Sequence, residues 1–123
     1  MRDFRLYLKD IVEAMIAIQA FVEGMDFEAF AADDKTSSAV IRKFEILGEA
    51  TKNVPDEIRQ KYPQVPWRQM AGMRDRLIHA YFGVDYALVW QTIENRIPPL
   101  KPIIEQIRQD VEKEDADGVN GMA

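Results

Sequence analysis

The residues best suited to chemistry lie close together between positions 74 and 81. His79 is the only histidine of the chain, and Arg74 lies five residues before it, with Asp75 and Arg76 in between. An imidazole with an ordinary pKa of ~6.5 can accept or donate a proton at neutral pH. A guanidinium can bind a phosphate through two hydrogen bonds and neutralise the charge that builds on it. Together these groups suit metal-free RNA cleavage, in which a base takes the 2′-hydroxyl proton, that oxygen attacks the adjacent phosphorus, and arginine stabilises the pentacoordinate phosphate.

The composition of the chain argues against certain metal sites and against a general DNA-coating function. The chain has 123 residues, no cysteine and one histidine, which argues against thiolate and His-rich metal sites. A net charge of −5 argues against a general DNA-coating protein, because such binding depends on neutralising phosphates. Residues 64–101, however, hold five basic and three acidic side chains, a net charge of +2, and include His79. This local excess is either chance or a phosphate site on an otherwise acidic protein.

The length and the two ends of the sequence predict one domain. We expect this domain to span residues 1–114 and to be followed by a disordered acidic tail over residues 115–123. The first residues open into a charged amphipathic pattern without a signal peptide, and no apolar run approaches the ~20 residues of a membrane span. We therefore expect a cytoplasmic protein.

The elements that must position the chemical groups are predicted to be helices. Apolar residues recur every three or four positions in a first helix over residues 3–24, and again in a second helix that a Thr or Ser at positions 36–38 could cap. We expect a loop over residues 26–36 between these two helices. Pro55 ends the second helix or begins a short extra helix through Tyr62.

The second half of the chain predicts two more helices. Pro66 suits the start of a third helix, which runs through the whole 74–81 segment and ends near Gly83. Asp85 can cap a fourth helix, and three later prolines must kink or break it. No alternation typical of strands stands out. The predicted fold class is all-α, an antiparallel four-helix bundle with a kinked C-terminal helix and a short extra helix.

Helical geometry bears on how the chemical groups could meet. At ~100° per residue, Asp75 lies on the same face as His79, whereas Arg74 and His79 point about 140° apart. Either the long Arg74 side chain curls round the helix, or a second copy supplies the partner group in a composite site at a twofold dimer interface. The regular apolar stripes offer surface for such pairing, although we expect most of them to form the core of one chain.

Five further residues have weaker functional alternatives. Arg42 and Arg68 could extend an RNA-binding groove, but solvated surface charge is the favoured interpretation. Glu49 could be a buried partner of an arginine, and a structural ion pair is favoured there. Trp67 and Trp90 are expected in the core rather than as platforms for base stacking.

The sequence around His79 resembles a known family signature. Residues 73–82, Met-Arg-Asp-Arg-Leu-Ile-His-Ala-Tyr-Phe, followed by Gly83-Val84-Asp85, are similar to the HEPN superfamily pattern, an arginine and then, after four to six residues, a histidine. Within that superfamily the chain resembles the HepT toxin family. The resemblance extends from about residue 4 to residue 108 and includes the segments 7–11, 46–50 and 65–67.

The resemblance implies a dimerising four-helix bundle and a metal-independent endoribonuclease that needs no cofactor and cleaves cellular RNA, either tRNA or mRNA. It assigns catalysis to Arg74 and His79, with Asp75 and Arg76 in supporting positions. Asp75 stands where family members often have Asn, and its negative charge beside a phosphate site would lower activity or tune His79. The alternative is a non-catalytic HEPN module that binds nucleotides or a partner protein.

The resemblance also implies a partner and a means of control. Similar toxins belong to type VII toxin–antitoxin systems, whose antitoxin is a minimal nucleotidyltransferase of the MntA-like kind. That antitoxin transfers AMP onto the tyrosine two residues after the histidine, which is Tyr81 here. The adduct would occupy the arginines and exclude RNA. We expect a homodimer, alone or in a larger complex with the antitoxin. Taken by itself, Tyr81 also fits a half-buried aromatic at a helix end, with its hydroxyl in water.

Overall fold

Eight helices and one short hairpin make up the part of the chain that the computed structural model describes, which is the backbone of residues 2–79 and 83–122 and the side chains of residues 2–78 and 83–114. In chain order the elements are α1 (Phe4–Phe21), α2 (Phe27–Ala32), α3 (Asp34–Lys52), α4 (Asp56–Lys61), α5 (Trp67–Ala71), α6 (Met73–Leu77), β1 (Ile78–His79), β2 (Gly83–Val84), α7 (Tyr86–Asn95) and α8 (Ile97–Met122). The all-α fold class predicted from the apolar spacing is confirmed.

The four longest helices, α1, α3, α7 and α8, form the bundle. α1 packs along α3 and α8, and α7 packs against α8. The stripe predicted for the second helix has at most 3% of any side chain exposed, and it consists of Val40, Phe44, Leu47 and Thr51 in α3 and Val54 just beyond its end. The central residues of the α1 stripe are at most 1% exposed, and they are Leu8, Ile11, Met15 and Ile18. Spacings of three and four place each set on one helix face, so both stripes form the core of a single chain, as expected.

Aspartates begin four of the helices. The side chains of Asp3, Asp26, Asp33 and Asp85 each accept a hydrogen bond from a backbone N–H two or three residues later. The predicted Asp85 cap is confirmed. The prediction of a cap at 36–38 is wrong, because Asp33 caps α3 and accepts from the Thr36 N–H at 3.0 Å. The expected loop over 26–36 is likewise wrong, since the cap at Asp26 starts α2 in a run rich in alanine, the best helix former.

The segment predicted as one third helix is instead two short helices and a hairpin. α5 ends before Gly72, α6 ends at Leu77, and Ile78 has extended dihedral angles (φ −123°, ψ 120°). β1 and β2 pair antiparallel, with Ile78 opposite Val84 and the backbone of His79 opposite Gly83. The predicted helix through His79 is therefore wrong.

Two local features account for the hairpin. Ile78 is β-branched, and such residues favour extended backbone. Gly83 has φ of 76°, a left-handed conformation that glycine adopts without steric cost. The Asp85 N–H then donates to the Leu77 carbonyl at 2.9 Å and closes the hairpin. Because the backbone of His79 lies on a strand, the helical angle between Arg74 and His79 and their relation to Asp75 expected from the sequence do not apply.

Prolines set the junction between α7 and α8. Arg96 separates the two helices, and Pro98 and Pro99 lie in the first turn of α8, where a missing backbone N–H costs nothing. The break predicted at Pro98 and Pro99 is confirmed, whereas Pro102 lies inside α8 and does not end the helix. The backbone of α8 continues as helix over residues 115–122, where the sequence predicts a disordered tail, and the Glu and Lys residues at 112–114 favour such propagation. Neither α8 nor any other helix of the described residues is long and apolar enough to cross a membrane.

Candidate functional site

The three consecutive polar residues of α6 are held at the surface by buried neighbours. Leu77 at the end of α6 is 1% exposed, and Met70 in α5 is fully buried. Trp67 is 6% exposed, and its indole N–H donates to the Tyr62 carbonyl at 3.0 Å. These anchors fix α5 and α6 against the bundle, while residues 74–76 between them all point to solvent.

A glycine controls how closely α5 approaches α3. Gly48 is buried in α3, and a Cβ at this position would lie 3.2 Å from the Ala71 carbonyl oxygen and 3.7 Å from that of Met70. The first distance is shorter than ordinary van der Waals contact. The absence of a side chain therefore lets the end of α5 rest on α3, and this contact sets the position of α6, which begins at Met73 and carries Arg74.

A first groove lies between α1, α3 and α6 and has a volume of about 460 Å³. We call it the Arg74 groove. Its charged lining residues are four cations and four carboxylates, namely Arg2, Arg42, Lys52 and Arg74, and Asp10, Glu45, Glu49 and Asp75. Each cation has an acidic partner, and the pairs are Arg2–Asp10 (2.6 Å), Arg42–Glu45 (3.3 Å), Lys52–Glu49 (3.3 Å) and Arg74 with Asp75 (3.5 Å) and Glu45 (4.0 Å). The formal charge of this groove is therefore balanced.

The Arg74 guanidinium is loosely held. Its Nη1 lies 3.5 Å from an Asp75 oxygen, its Nε lies 4.0 Å from a Glu45 oxygen, and half of the side chain is exposed. Exposed ion pairs of this kind contribute roughly 0–1 kcal/mol. A phosphate, which can accept two parallel hydrogen bonds from a guanidinium, can compete with both carboxylates for Arg74.

A second groove lies on the other side of α6, between α5–α6 and the α7–α8 junction, and has a volume of about 450 Å³. We call it the Arg76 groove. Its polar side chains include Arg76, Arg96, Gln69, Gln91 and Asn95, over an apolar floor of Met70, Met73, Leu77, Leu88 and Leu100. No acidic side chain lines it within the described part of the chain. Arg74 and Arg76, which the sequence places side by side, thus face different surfaces.

The structure places some of the predicted site residues and leaves others outside its description. Arg74 and Asp75 lie together in the Arg74 groove, whereas Arg76 lies apart from them. His79 is described by its backbone alone, in β1, and its side chain falls outside the described residues. Tyr81 falls outside them entirely. The predicted roles of these two residues stay predictions.

The weaker candidates are placed as favoured, with one addition. Glu49 is exposed and pairs with Lys52 at 3.3 Å, so it is not a buried arginine partner. Trp67 is buried, and the ring of Trp90 lies 5.3 Å from that of Phe30, so both belong to the core. Arg42 lines the Arg74 groove although it is also an exposed ion-pair partner.

Sequence reasoning missed the polar residues that α7 contributes to the Arg76 groove. Gln91 and Asn95 are four residues apart and therefore share an exposed face of α7, and Arg96 follows directly. Their spacing was a usable signal, but only the packing of α7 against α6 shows that this face meets Arg76. Among the described residues, no group of three or more His, Asp or Glu is arranged to hold a metal ion.

Comparison with known proteins gives consistent matches over most of the chain. The family model described as "Ribonuclease HepT-like" matches residues 11–107. A Thermococcus cleftensis protein named "Probable ribonuclease HepT" is 49% identical over 108 residues, which cover 88% of this chain and 98% of that protein. A Methanocaldococcus jannaschii protein named "Putative RNase" is 46% identical over 118 residues, which cover 96% of this chain and 98% of its own. No solved structure gives a significant match.

Proposed function

The chain belongs to the HepT-like ribonuclease family, and from this premise we propose that it is a metal-independent endoribonuclease that cleaves cellular RNA with Arg74 and His79. The observation that carries the proposal is the state of Arg74. It lies half exposed at the edge of an open groove, and only weak ion pairs hold it. Its helix leads within two residues into the strand that bears His79.

The proposed reaction is a transfer of phosphorus from one oxygen of RNA to another. The His79 imidazole accepts the proton of a 2′-hydroxyl, the 2′-oxygen bonds to the neighbouring phosphorus, and the 5′-oxygen of the next nucleotide leaves with a proton. The products are a 2′,3′-cyclic phosphate and a free 5′-hydroxyl. Arg74 binds the phosphate oxygens and stabilises the extra negative charge of the pentacoordinate state.

The need for both a base and an acid supports a dimer. The chain has a single histidine, whereas this reaction removes one proton and adds another on opposite sides of the phosphorus. In a twofold dimer, a residue near the axis meets its own copy. We therefore propose that two chains pair so that Arg74 and His79 of both copies share one cleft.

The same site supports a proposal for regulation. We propose that this protein is the toxin of a type VII toxin–antitoxin system and that an MntA-like nucleotidyltransferase silences it. The Tyr81 hydroxyl would attack the α-phosphorus of ATP, lose its proton and release pyrophosphate. The attached AMP would bring a phosphate close to Arg74 and compete with RNA for it.

Ribonuclease assays of matched variants test the catalytic proposal. Wild-type protein and the control Arg68→Ala, an exposed arginine outside both grooves, should cleave single-stranded RNA in the presence of a chelator and should arrest growth when expressed. His79→Ala and Arg74→Ala should do neither. Cleavage that survives His79→Ala, or that the chelator abolishes in the wild type, would contradict the proposal.

Mixing the wild type with an inactive variant tests the dimer. If one cleft needs His79 of both copies, unfolding and refolding the wild type with increasing amounts of His79→Ala should lower the activity as the square of the wild-type fraction, because a mixed dimer lacks one of the two imidazoles. An activity that falls linearly with the wild-type fraction, with mixed dimers demonstrated by mass spectrometry, would place each site within one chain. Mass spectrometry after expression with the nucleotidyltransferase should find AMP on Tyr81, and a neutralised but unmodified toxin would contradict that part.

A specific observation favours the alternative, a non-catalytic module that binds nucleotides or a partner. Two carboxylates, Asp75 and Glu45, already lie near the Arg74 guanidinium and oppose a second negative charge there. This alternative predicts that wild type and His79→Ala are equally inactive on RNA while both bind nucleotides. The ribonuclease assay therefore separates the two functions.

A further inference from the structure

The Arg76 groove is the strongest feature of the described surface that the proposed chemistry does not use. We propose that it binds one nucleotide of the RNA strand next to the cleaved phosphate, with a phosphate on its arginines and a base over its apolar floor. The inference rests on the proposed function in taking RNA as the ligand. It adds a substrate-binding subsite to the catalytic residues.

Charge is the first support. Arg76 and Arg96 are the charged residues of this groove, and no hydrogen bond or ion pair to another described residue satisfies either guanidinium. Every cation of the Arg74 groove, in contrast, has a carboxylate within 4.0 Å. On a chain with a net charge of −5, two uncompensated arginines in one concavity form a local site for an anion. A phosphate that enters here displaces no carboxylate.

The amide side chains are the second support. Gln69, Gln91 and Asn95 line the groove, are exposed and form no hydrogen bonds with other described residues. An amide offers a donor and an acceptor side by side, which matches the edge of a nucleobase. Three such groups beside two arginines can read a base and hold its phosphate at the same time.

The floor and the size of the groove are the third support. The partly exposed side chains of Met73, Leu88 and Leu100 form an apolar surface beneath the polar groups, with the buried Met70 and Leu77 behind them. Bases of single-stranded RNA bind proteins by stacking on flat or polarisable side chains while their edges form hydrogen bonds. A volume of about 450 Å³ lies in the range of small-ligand sites. The groove is therefore large enough for one nucleotide and too small for a folded partner.

The Arg76 groove lies directly across α6 from Arg74. Arg74 and Arg76 are two residues apart on α6, so their side chains leave the helix about 200° apart, on opposite sides. With side chains, such a helix is about 10 Å wide. A single strand that crosses the exposed side of α6 meets Arg74 first and then Arg76 on the far side.

Binding measurements on a non-cleaving background test the subsite. When Arg96→Gln is added to a chain that already carries His79→Ala, it should weaken binding of short single-stranded RNA about tenfold. The reason is that a hydrogen bond from a charged donor to phosphate is lost. The substitution should also make the slope of log affinity against log salt shallower by ~0.7, the value for one phosphate contact on a single strand. Arg76→Gln should act similarly. Gln91→Leu should change the preference among homopolymers of A, U and C without changing the salt slope. The control Arg68→Gln should do none of these.

Kinetics with intact His79 provide the second measurement. Arg96→Gln should raise KM and leave kcat unchanged, because a remote contact binds the ground state and the transition state equally. RNA affinity, salt slope and KM that match the Arg68→Gln control would overturn the subsite. So would a variant that binds RNA normally but no longer binds the antitoxin, since that result assigns the groove to a protein. If the wild type binds RNA through Arg96 but never cleaves it, the proposed function fails and the subsite stands.

Discussion

The two grooves on either side of α6 are nearly equal in volume and opposite in electrostatic design. The Arg74 groove balances four cations with four carboxylates, whereas the Arg76 groove leaves its arginines without acidic partners among the residues that the structure describes. A balanced site favours the release of charged products, since carboxylates pair with the arginine again when a phosphate departs. An unbalanced site holds an anion. The difference shows that two arginines two residues apart on one short helix can lie in different electrostatic surroundings.

The largest expected effect comes from removing the guanidinium of the balanced groove. Arg74→Ala should lower kcat about 10²–10³-fold, the loss typical of one electrostatic contact to a transition state. Arg74→Lys should recover only part of the rate, since an ammonium cannot donate two parallel hydrogen bonds. Steady-state cleavage assays measure both. If Arg74→Ala changed KM and left kcat unaltered, Arg74 would act in binding alone, as proposed for the Arg76 groove, and the contrast between the two grooves would not hold.

The next effect concerns the contact that positions α5 and α6. Gly48→Ala should reduce the free energy of unfolding by about 1 kcal/mol, because the overpacking cost of ~1–3 kcal/mol exceeds the gain in helix propensity. It should also lower kcat, since Arg74 follows the displaced helix. Denaturant unfolding and cleavage assays measure the two effects.

Gly72→Ala is the matched control for Gly48. Its Cβ would lie 3.6 Å from the Arg68 carbonyl oxygen, an ordinary contact, and its φ of −93° suits any residue. The variant should be as stable as the wild type or up to ~1 kcal/mol more stable. If Gly72→Ala and Gly48→Ala behave alike, close approach of α3 and α5 does not position the site.

A smaller effect should follow from making the balanced groove resemble the unbalanced one. Glu45→Gln and Asp75→Asn, each made alone, should increase RNA affinity up to about fivefold at low salt, because one exposed ion pair contributes at most ~1 kcal/mol. The gain should disappear at high salt, which screens exposed charges. Glu112→Gln, on α8 outside both grooves, is the control. Unchanged affinity at every salt concentration would show that the carboxylates do not compete with phosphate.

The smallest expected effect is on the stability of α3, the helix that forms one side of the Arg74 groove and is capped by Asp33. The pKa of Asp33 is below its ordinary value because the carboxylate accepts hydrogen bonds from the backbone N–H and the hydroxyl of Thr36. Its contribution to stability is therefore complete above the unfolded pKa of ~3.9 and is lost as the pH falls through the lower folded value.

Circular dichroism against pH measures this contribution. Asp33→Asn keeps a capping acceptor but cannot ionise, so it should match the wild type near neutral pH and lose less stability in acid. Asp33→Ala should be less stable at both. Equal acid sensitivity of the wild type and Asp33→Asn would show that other groups govern acid unfolding.

The parts of the fold that the sequence predicts correctly are those that depend on the residues of a single helix. The stripes from Leu8 to Ile18 and from Val40 to Val54 follow directly from apolar spacing, and the Asp85 cap follows from its side chain. The break at Gly72 and the hairpin at Ile78 are tertiary, since they depend on α3 packing beneath α5 and on the Leu77–Asp85 hydrogen bond. Periodicity across residues 66–82 is compatible with both outcomes.

The site was predictable in its residue types and unpredictable in its arrangement. Arg74 and Asp75 share a groove, as neighbours on a short helix can. Arg76 was expected beside them, but its partners Gln91, Asn95 and Arg96 come from α7, and no local pattern shows which surface α7 meets. The sequence therefore predicts which residues carry the chemistry and not the division of the surface into two grooves.

The contact of Gly48 with Ala71 also has a mechanical consequence. Backbone atoms in van der Waals contact repel steeply when pressed together, whereas the attraction between them fades gradually as they separate. Moving α5 towards α3 therefore costs energy steeply, whereas moving it away from α3 costs energy gradually. The side of the Arg74 groove at Ala71 therefore resists movement towards α3 more strongly than movement away from it.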